Sequence, residues 1–468
     1  MELYYIRICF LAILIFPFLR ILRSFAPVEH LQKGIAMMYN DAKYDSRKNS
    51  KGRKTAMDKE KVLDVAADVG YRLSVCGAET FRVEESMARI LGAYGIPAEV
   101  FALPSCLFVS IRDGGKTASR MRRIEELSND MDGVEHYSQL SRRICSEAPE
   151  AEIAERLVTE ADTERTHYGT VLRYIGHYLA AFGFCLFFGG IFTDALVSGF
   201  CGIIAGLVDS FLHRHKANLF FRTILASLLF SLPAYLLHGL GIVSNSGAVV
   251  IGALMPLIPG LMFTNAMRDI IYGHMISAVV RTLQVVLVAL AIAIGTAVAW
   301  NTAQWICGPI VSGETVSYSL WGQEFACMIA CLGFSLMFNI HGKGFFLCVL
   351  GGMLSWLLYG FCAAGGLSDV AGYFWASAFA GVYAEVMARI RKYPAISYLI
   401  ISLVPLIPGS GLYYTMTYAV EGAVEQCLRT GIHTVVLTGI MAVGVIMVNT
   451  TVRLVSGWRK EKTGQKIA

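Results

Sequence analysis

Charge is scarce in this chain. Only 16% of its 468 residues are Asp, Glu, Lys or Arg, against about 25% in a soluble globular domain. Much of the chain therefore never needs to meet water. There is no basic stripe. The net charge of +5 lies at loop ends, so no nucleic-acid partner is expected. The twelve cysteines are scattered and form no CxxC pair, which argues against a zinc or dithiol redox site. Inside apolar runs a free thiol behaves as a small hydrophobe. GxSxG and HExxH are missing as well. No catalytic residue, metal or cofactor is expected. The hydrophobic runs do not alternate apolar and polar, which excludes a membrane barrel.

What the chain has is apolar length. It is 55% hydrophobic with a mean hydropathy of +0.54, and a membrane helix needs about 20 apolar residues. Ten such segments follow residue 170: 171–192, 194–212, 219–241, 246–264, 274–300, 323–341, 343–363, 370–390, 395–414 and 430–455. The fold class expected is a polytopic α-helical membrane protein of about ten spans, with membrane lipid as its surroundings. If the N-terminal residues are cytoplasmic, the inner loops hold His213 to Lys216, Arg268, Lys343, Arg389 and Arg391, while the outer stretch 301–323 has no Lys or Arg. That is the positive-inside bias, and Arg429 is the exception. It places the chain in an inner membrane with both termini cytoplasmic.

Ahead of the spans, residues 1–56 hold a short apolar run and a basic linker. An over-extended start, an interfacial anchor and an uncleaved signal-like helix stay open for it. Residues 57–168 read as a small cytoplasmic α+β domain. Val62, Val65, Ala66, Val69 and Leu73 recur at helical spacing, with Gly77 as a stop. Thr80 is placed to cap a second helix carrying Val83, Met87, Ile90 and Leu91. Residues 98–103 and 105–112 read as strands, and helices follow. The remaining divisions are repeat 1 at 169–300, an outer loop at 301–322, repeat 2 at 323–456 and a tail at 457–468.

The repeat is the most specific signal. Met255-Pro256-Leu257-Ile258-Pro259-Gly260 recurs as Val404-Pro405-Leu406-Ile407-Pro408-Gly409. At the same offset, to within about one residue, Gly183-Phe184 matches Gly333-Phe334, Gly202 matches Gly351, Ala226-Ser227 matches Ala376-Ser377, and Met267 matches Met416. Five spans per copy is an odd number, so the second copy enters the membrane from the opposite side. Inverted repeats are the architecture of many secondary transporters.

Each repeated segment carries two prolines three residues apart. A proline inside a helix lacks an N–H and clashes with an earlier carbonyl, and Gly260 and Gly409 add freedom. A broken helix is expected in the fourth and ninth segments. Irregular backbone survives at membrane depth only against protein or a wet cavity, and a half-helix N-terminus favours an anion. The substrate or gate candidates are therefore Pro256, Pro259, Gly260, Thr264, Asn265, Pro405, Pro408, Gly409, Ser410, Tyr413, Tyr414 and Thr417. The plainer alternative is that the prolines kink packed helices. Asp269 and Arg268 are the proton-coupling candidates; for Asp269 an ion pair with Arg268 or Arg281 is the competing account.

The run Gly77-Ala78-Glu79-Thr80-Phe81-Arg82-Val83-Glu84, with both PLIPG segments, resembles the threonine/serine exporter family over about residues 57–455. The resemblance implies proton-driven export of threonine and serine. Split members of the family are linked to dicarboxylate export. Either substrate is a small carboxylate-bearing solute. A homo-oligomer is compatible with the sequence. The N-terminal motif residues Gly77, Glu79, Thr80, Arg82 and Glu84 are candidates for a gate, a docking surface or a regulatory module. A membrane-bound hydrolase remains a second alternative.

Overall fold

A computed structural model describes residues 54–462, except Gly114, Glu126, 259–261, Phe263, Thr264, Arg268, Ile271, Tyr272, 309–312, Glu314 and Lys392. Expectations for residues 1–53 lie outside the described residues. The chain divides into Met1–Val62 and Leu63–Ala468. Of the first, only the opening turns of one helix are described.

That helix, α1 (Lys54–Val75), buries Leu63, Ala66, Val69 and Leu73 along one face. Gly77 ends it at φ 94°, where the Ala78 N–H donates to Leu73 O and the Gly77 N–H to Ser74 O, each at 3.0 Å. This is the glycine-closed helix end that satisfies orphan carbonyls. A side chain at Gly77 would also put its Cβ 2.3 Å from Ser128 O. The next helix, α2 (Thr80–Ala93), buries Val83, Met87, Ile90 and Leu91, the four positions its spacing predicts. Its N-cap is Glu79, not Thr80, and Glu79 makes no side-chain cap.

Three antiparallel strands follow in the order β1 (Ala98–Leu103), β2 (Cys106–Asp113), β3 (Lys116–Arg123). Pro104 and Ser105 turn the first hairpin, with Leu103 opposite Cys106. Leu107, Val109 and Ile111 of β2 point into the core. The third strand is unanticipated, because KTASRMRR has no apolar face. Arg120 bonds Asp64 at 2.6 Å and Arg122 bonds Asp68 at 2.7 Å. Ion pairs to α1 hold β3 where hydrophobic burial does not. Helices α3 (Met131–Glu147) and α4 (Ala151–Glu164) complete this N-terminal part.

The fully described helices that follow are α5 (Thr170–Phe187), α6 (Phe192–Arg214), α7 (Leu219–Gly239), α8 (Ser246–Leu254), α9 (Met275–Cys307), α10 (Leu320–Met337), α11 (Lys343–Ala364), α12 (Asp369–Arg391), α13 (Ala395–Leu403), α14 (Gly409–Val420) and α15 (Val424–Lys462). Among the described residues seven are long and apolar enough to cross a membrane, or eight if the bent pair α13–α14 is one span. The chain is thus a polytopic α-helical membrane protein. Of the other two expected segments, α12 is helical but carries Asp369, Glu385, Arg389 and Arg391, and α8 stops after nine residues.

Small residues set the packing, as expected where helices meet in lipid without a hydrophobic drive. A Cβ on Gly183 of α5 would lie 2.4 Å from Ala330 N of α10, and one on Gly333 of α10 would lie 2.2 Å from Ala180 N of α5. Sequence-matched residues repeat this correspondence elsewhere. Gly295 abuts Ile224 O and Ser227, while Gly444 abuts Phe374 O and Ser377. Gly202 abuts Ala181, while Gly352, one residue past the match Gly351, abuts Cys331.

Candidate functional site

The two proline segments break their helices in related ways. Helix α8 ends at Leu254, and Leu257 N–H turns back to Leu254 O at 2.8 Å. Helix α13 ends at Leu403, tightens into a 3-10 turn over Val404–Leu406, becomes extended at Ile407, and reaches α14 at Gly409 after Pro408. The helices on either side are bent by 53°. A proline that cannot donate leaves the tighter turn as the local way to satisfy the last carbonyls.

The breaks lie against each other. A Cβ on Gly409 would sit 2.9 Å from both Ile258 Cδ1 and Met255 Sδ. Leu412 of α14 forms a cluster with Val285 and Ala289 of α9, and Ile258, Met262, Met267 and Met416 pack on it. Met267 and Met416 are the pair matched by the repeat. Tyr413 packs on the core of α5 to α9, which includes Tyr235. Tyr414 turns away and is 39% exposed.

The structure therefore brings Pro256, Gly409, Tyr413 and the buried Pro405 to one locus, with Pro408 and Ser410 in the same short stretch of chain. Thr417 is turned to its own helix, donating to Tyr413 O at 3.0 Å. Asn265 is helical and half-buried. Pro259, Gly260, Thr264 and Arg268 lie outside the described residues.

Asp269 is committed to an ion pair. Arg281 Nε lies 3.1 Å from its carboxylate, both side chains about one-tenth exposed. Arg281 Nη2 also donates to Thr80 Oγ1 at 3.4 Å. So Thr80 of the N-terminal motif touches the membrane helices instead of capping its own helix. Glu84 serves the fold: its carboxylate accepts from the Ala102 N–H at 2.9 Å, tying α2 to β1. Arg82 is half-buried.

A second junction centres on Asn339, which sequence reasoning missed. It ends α10 at φ 56°. Its amide donates to Asp130 at 2.9 Å and to Thr166 O at 3.0 Å, and its carbonyl accepts from Tyr168 N–H at 3.0 Å. Asp130 also caps α3 through Gly133 N–H and pairs with Arg165. Beside it, hydrogen bonds from Arg72 hold the Asp162 carboxyl below its usual range, and burial pushes Tyr137 up to about 12. Burial also pushes Cys76 up to about 12, so this thiol stays protonated and is no nucleophile. The only sequence hint of Asn339 is an asparagine closing a span, where the left-handed conformation is tolerated.

Two more buried acids went unnoticed in the sequence. Asp194, fully buried, accepts from Ile191, Ser244 and Asn245 N–H groups, so it caps α6 and anchors the loop before α8. Glu324 of α10 is 5% exposed, and its Oε1 has no hydrogen-bond partner among the described residues.

These features define a helical membrane protein with paired broken helices, a class that includes many transporters. The chain matches the family model described as "Putative threonine/serine exporter" over residues 64–303, and the model described as "Threonine/Serine exporter, ThrE" over residues 323–451. It belongs to the threonine/serine exporter family. A curated relative from Corynebacterium glutamicum, named "Threonine/serine exporter", is 19% identical over 277 residues. The match covers 58% of this chain and 57% of the relative, so the chain spans little more than half the length of that protein. No solved structure matches.

Proposed function

We propose that this protein is a secondary active exporter of threonine and serine, with two inverted five-helix repeats as its moving halves. The contact of Gly409 with Met255 and Ile258 carries the reading. It sets the two helix breaks side by side, where paired irregular segments of an inverted-repeat transporter bind substrate. Family membership supports amino-acid export. The matched glycine contacts support the duplication, and the two family matches leave 304–322 between them, close to the proposed outer loop.

The loops also sort into two sets. Those read as outer touch one another: Val316 N–H donates to Gly189 O, Tyr318 OH to Gly190 O, and Asp194 accepts from the 244–245 loop. Those read as inner meet the N-terminal part at Arg281 and Asn339. This supports an odd span number per repeat, cytoplasmic termini and an inner-membrane location. Proton coupling falls to Asp269, released from Arg281 in one state, with Glu324 as a second acid within a span.

Counterflow in proteoliposomes tests the reading. Vesicles preloaded with threonine are expected to accumulate labelled threonine, with serine blocking uptake. Exchange of succinate alone moves the assignment to a dicarboxylate exporter. Absence of any exchange overturns transport by alternating access.

A further inference from the structure

Across the three strands, Phe101 stands opposite Phe108, and Phe108 opposite Met121. Side chains alternate faces along a strand, and these three point away from the face that buries Ala102, Leu107 and Val109. They are 47%, 44% and 58% exposed. Strand β2 is central in the sheet, so Phe108 is flanked on both sides and the row is one continuous apolar patch. A patch of this kind with a polar rim marks an interaction surface.

What meets it follows from where the hairpin sits. Leu103 and Pro104, at the turn between β1 and β2, line one small cavity with Thr80 and Arg281. Arg281 belongs to α9, one of the helices long enough to span a membrane. Around it Met275, Ile276, Val279 and Leu283 of the same helix are exposed, and on a spanning helix such an apolar flank meets acyl chains. Arg281 lies six residues past Met275, about 9 Å along the helix. The apolar row lies two residues back from the turn end of each strand, about 7 Å. The row is thus about as near the turn as the first lipid-facing residues of α9 are to Arg281. The sheet face borders the lipid surface of α9.

Charge is graded along the same face. Arg123 is exposed and sits opposite Cys106 at the turn end. Its methylene stem can lie along the row while its guanidinium stays at phosphate level. At the far end Glu99 and Arg112 stand 3.8 Å apart, both side chains 82% exposed, as suits groups that remain in water.

We infer that this sheet face rests on the inner leaflet of the membrane, with Phe101, Phe108 and Met121 at the boundary between headgroups and acyl chains and Arg123 on a lipid phosphate. Amphipathic surfaces with aromatic residues bury about 5–10 Å into that boundary. The contact anchors the N-terminal part beside α9 and holds Thr80 against Arg281. It rests on the inner-side placement above and not on what the protein transports. A second copy of the chain is the poorer occupant, because it would have to displace lipid from a face continuous with α9.

The test is photo-crosslinking of the full-length protein in nanodiscs of phosphatidylglycerol and phosphatidylcholine, with p-benzoylphenylalanine in place of Phe108 and the adduct read by mass spectrometry. Val279 of α9 is the lipid-facing reference position. Ile153 of α4 is the reference away from lipid: it is exposed, and it lies twelve residues, about 18 Å, before Arg165, where α4 closes on the Asn339 junction. A phospholipid adduct is expected at position 108, within about twofold of position 279 and about fivefold or more above position 153. The same probe in place of Met121 reads the face from a neighbouring strand, should the first replacement fail to fold. A crosslinked dimer at position 108 in place of the lipid adduct means that a second copy covers the face, and overturns the proposal. Lipid labelling at 108 and 121 no higher than at 153 overturns it too. Neither outcome touches wild-type counterflow, so the exporter reading is judged separately.

Discussion

Gly333→Val is expected to abolish accumulation of folded protein in the membrane. The Cβ alone would stand 2.2 Å from Ala180 N and 2.7 Å from Gly176 O, and the obstacle is backbone, which cannot rotate away. Helices α5 and α10 would have to part along their whole contact. Overpacking a core costs about 1–3 kcal/mol where side chains can adjust, so a backbone clash costs at least the upper end. In lipid, close packing is most of what holds two helices together. Gly183→Val meets the same obstacle from the other side, 2.4 Å from Ala330 N. Once the helices have parted, the second substitution adds little, so the double variant should be less damaged than the sum of the singles. Gly439→Ala is the control. Nothing lies within 4 Å of its Cβ, and replacing a helical glycine by alanine gains about 0.5–1 kcal/mol. Fluorescence-detected gel filtration after a temperature series would rank the four. Wild-type melting of Gly333→Val would show that the α5–α10 contact does not hold the halves together.

The membrane helices were legible because span length is a property of composition, and apolar runs without helix breakers have few other outcomes. The break at Pro405 and Pro408 was legible because a proline's missing donor is a local fact. The contact between Gly409 and Met255 was not, although the repeat implied that the two segments were equivalent. Strand β3 escaped because its pattern carries arginines where a strand normally carries its apolar face; Asp64 and Asp68, which receive them, lie more than fifty residues earlier. The N-terminal motif was recognised, yet its parts serve different ends. Gly77 closes a helix and Glu84 fastens a strand. Thr80 reaches Arg281, a partner 201 residues away that no local reading identifies. Asn339 and Asp194 act through long-range hydrogen bonds in the same way. An acid at the head of the apolar segment 194–212 is the sign the sequence carries for Asp194.

Asp269→Asn is expected to damage both stability and export. In the sequence Asp269 reads as a coupling candidate whose loss would harm export more than folding, with an ion pair to Arg268 or Arg281 as the competing account. Its pairing with Arg281 adds a structural debt, because the variant leaves a guanidinium about one-tenth exposed without its counter-charge. Breaking one side of such a pair costs about 3–5 kcal/mol. Arg281→Gln should cost a similar amount by stranding the carboxylate. Asp269→Asn with Arg281→Gln leaves no charge behind, so its stability should recover most of the way. Export separates the two roles. If Asp269 carries protons, the stable double variant still binds threonine and exchanges it, but no longer responds to an imposed pH gradient. If the pair is only structural, the double variant regains gradient-driven export along with its stability. Thr80→Val adds a third reading. It keeps both charges and removes the acceptor that joins Arg281 to α2, a bond to a charged group worth about 1.5–3 kcal/mol. A change in proton dependence in that variant, with melting altered by less than a few degrees, would mean that the N-terminal part sets the state of the Asp269–Arg281 pair. Unaltered proton dependence would confine Thr80 to holding the two parts together.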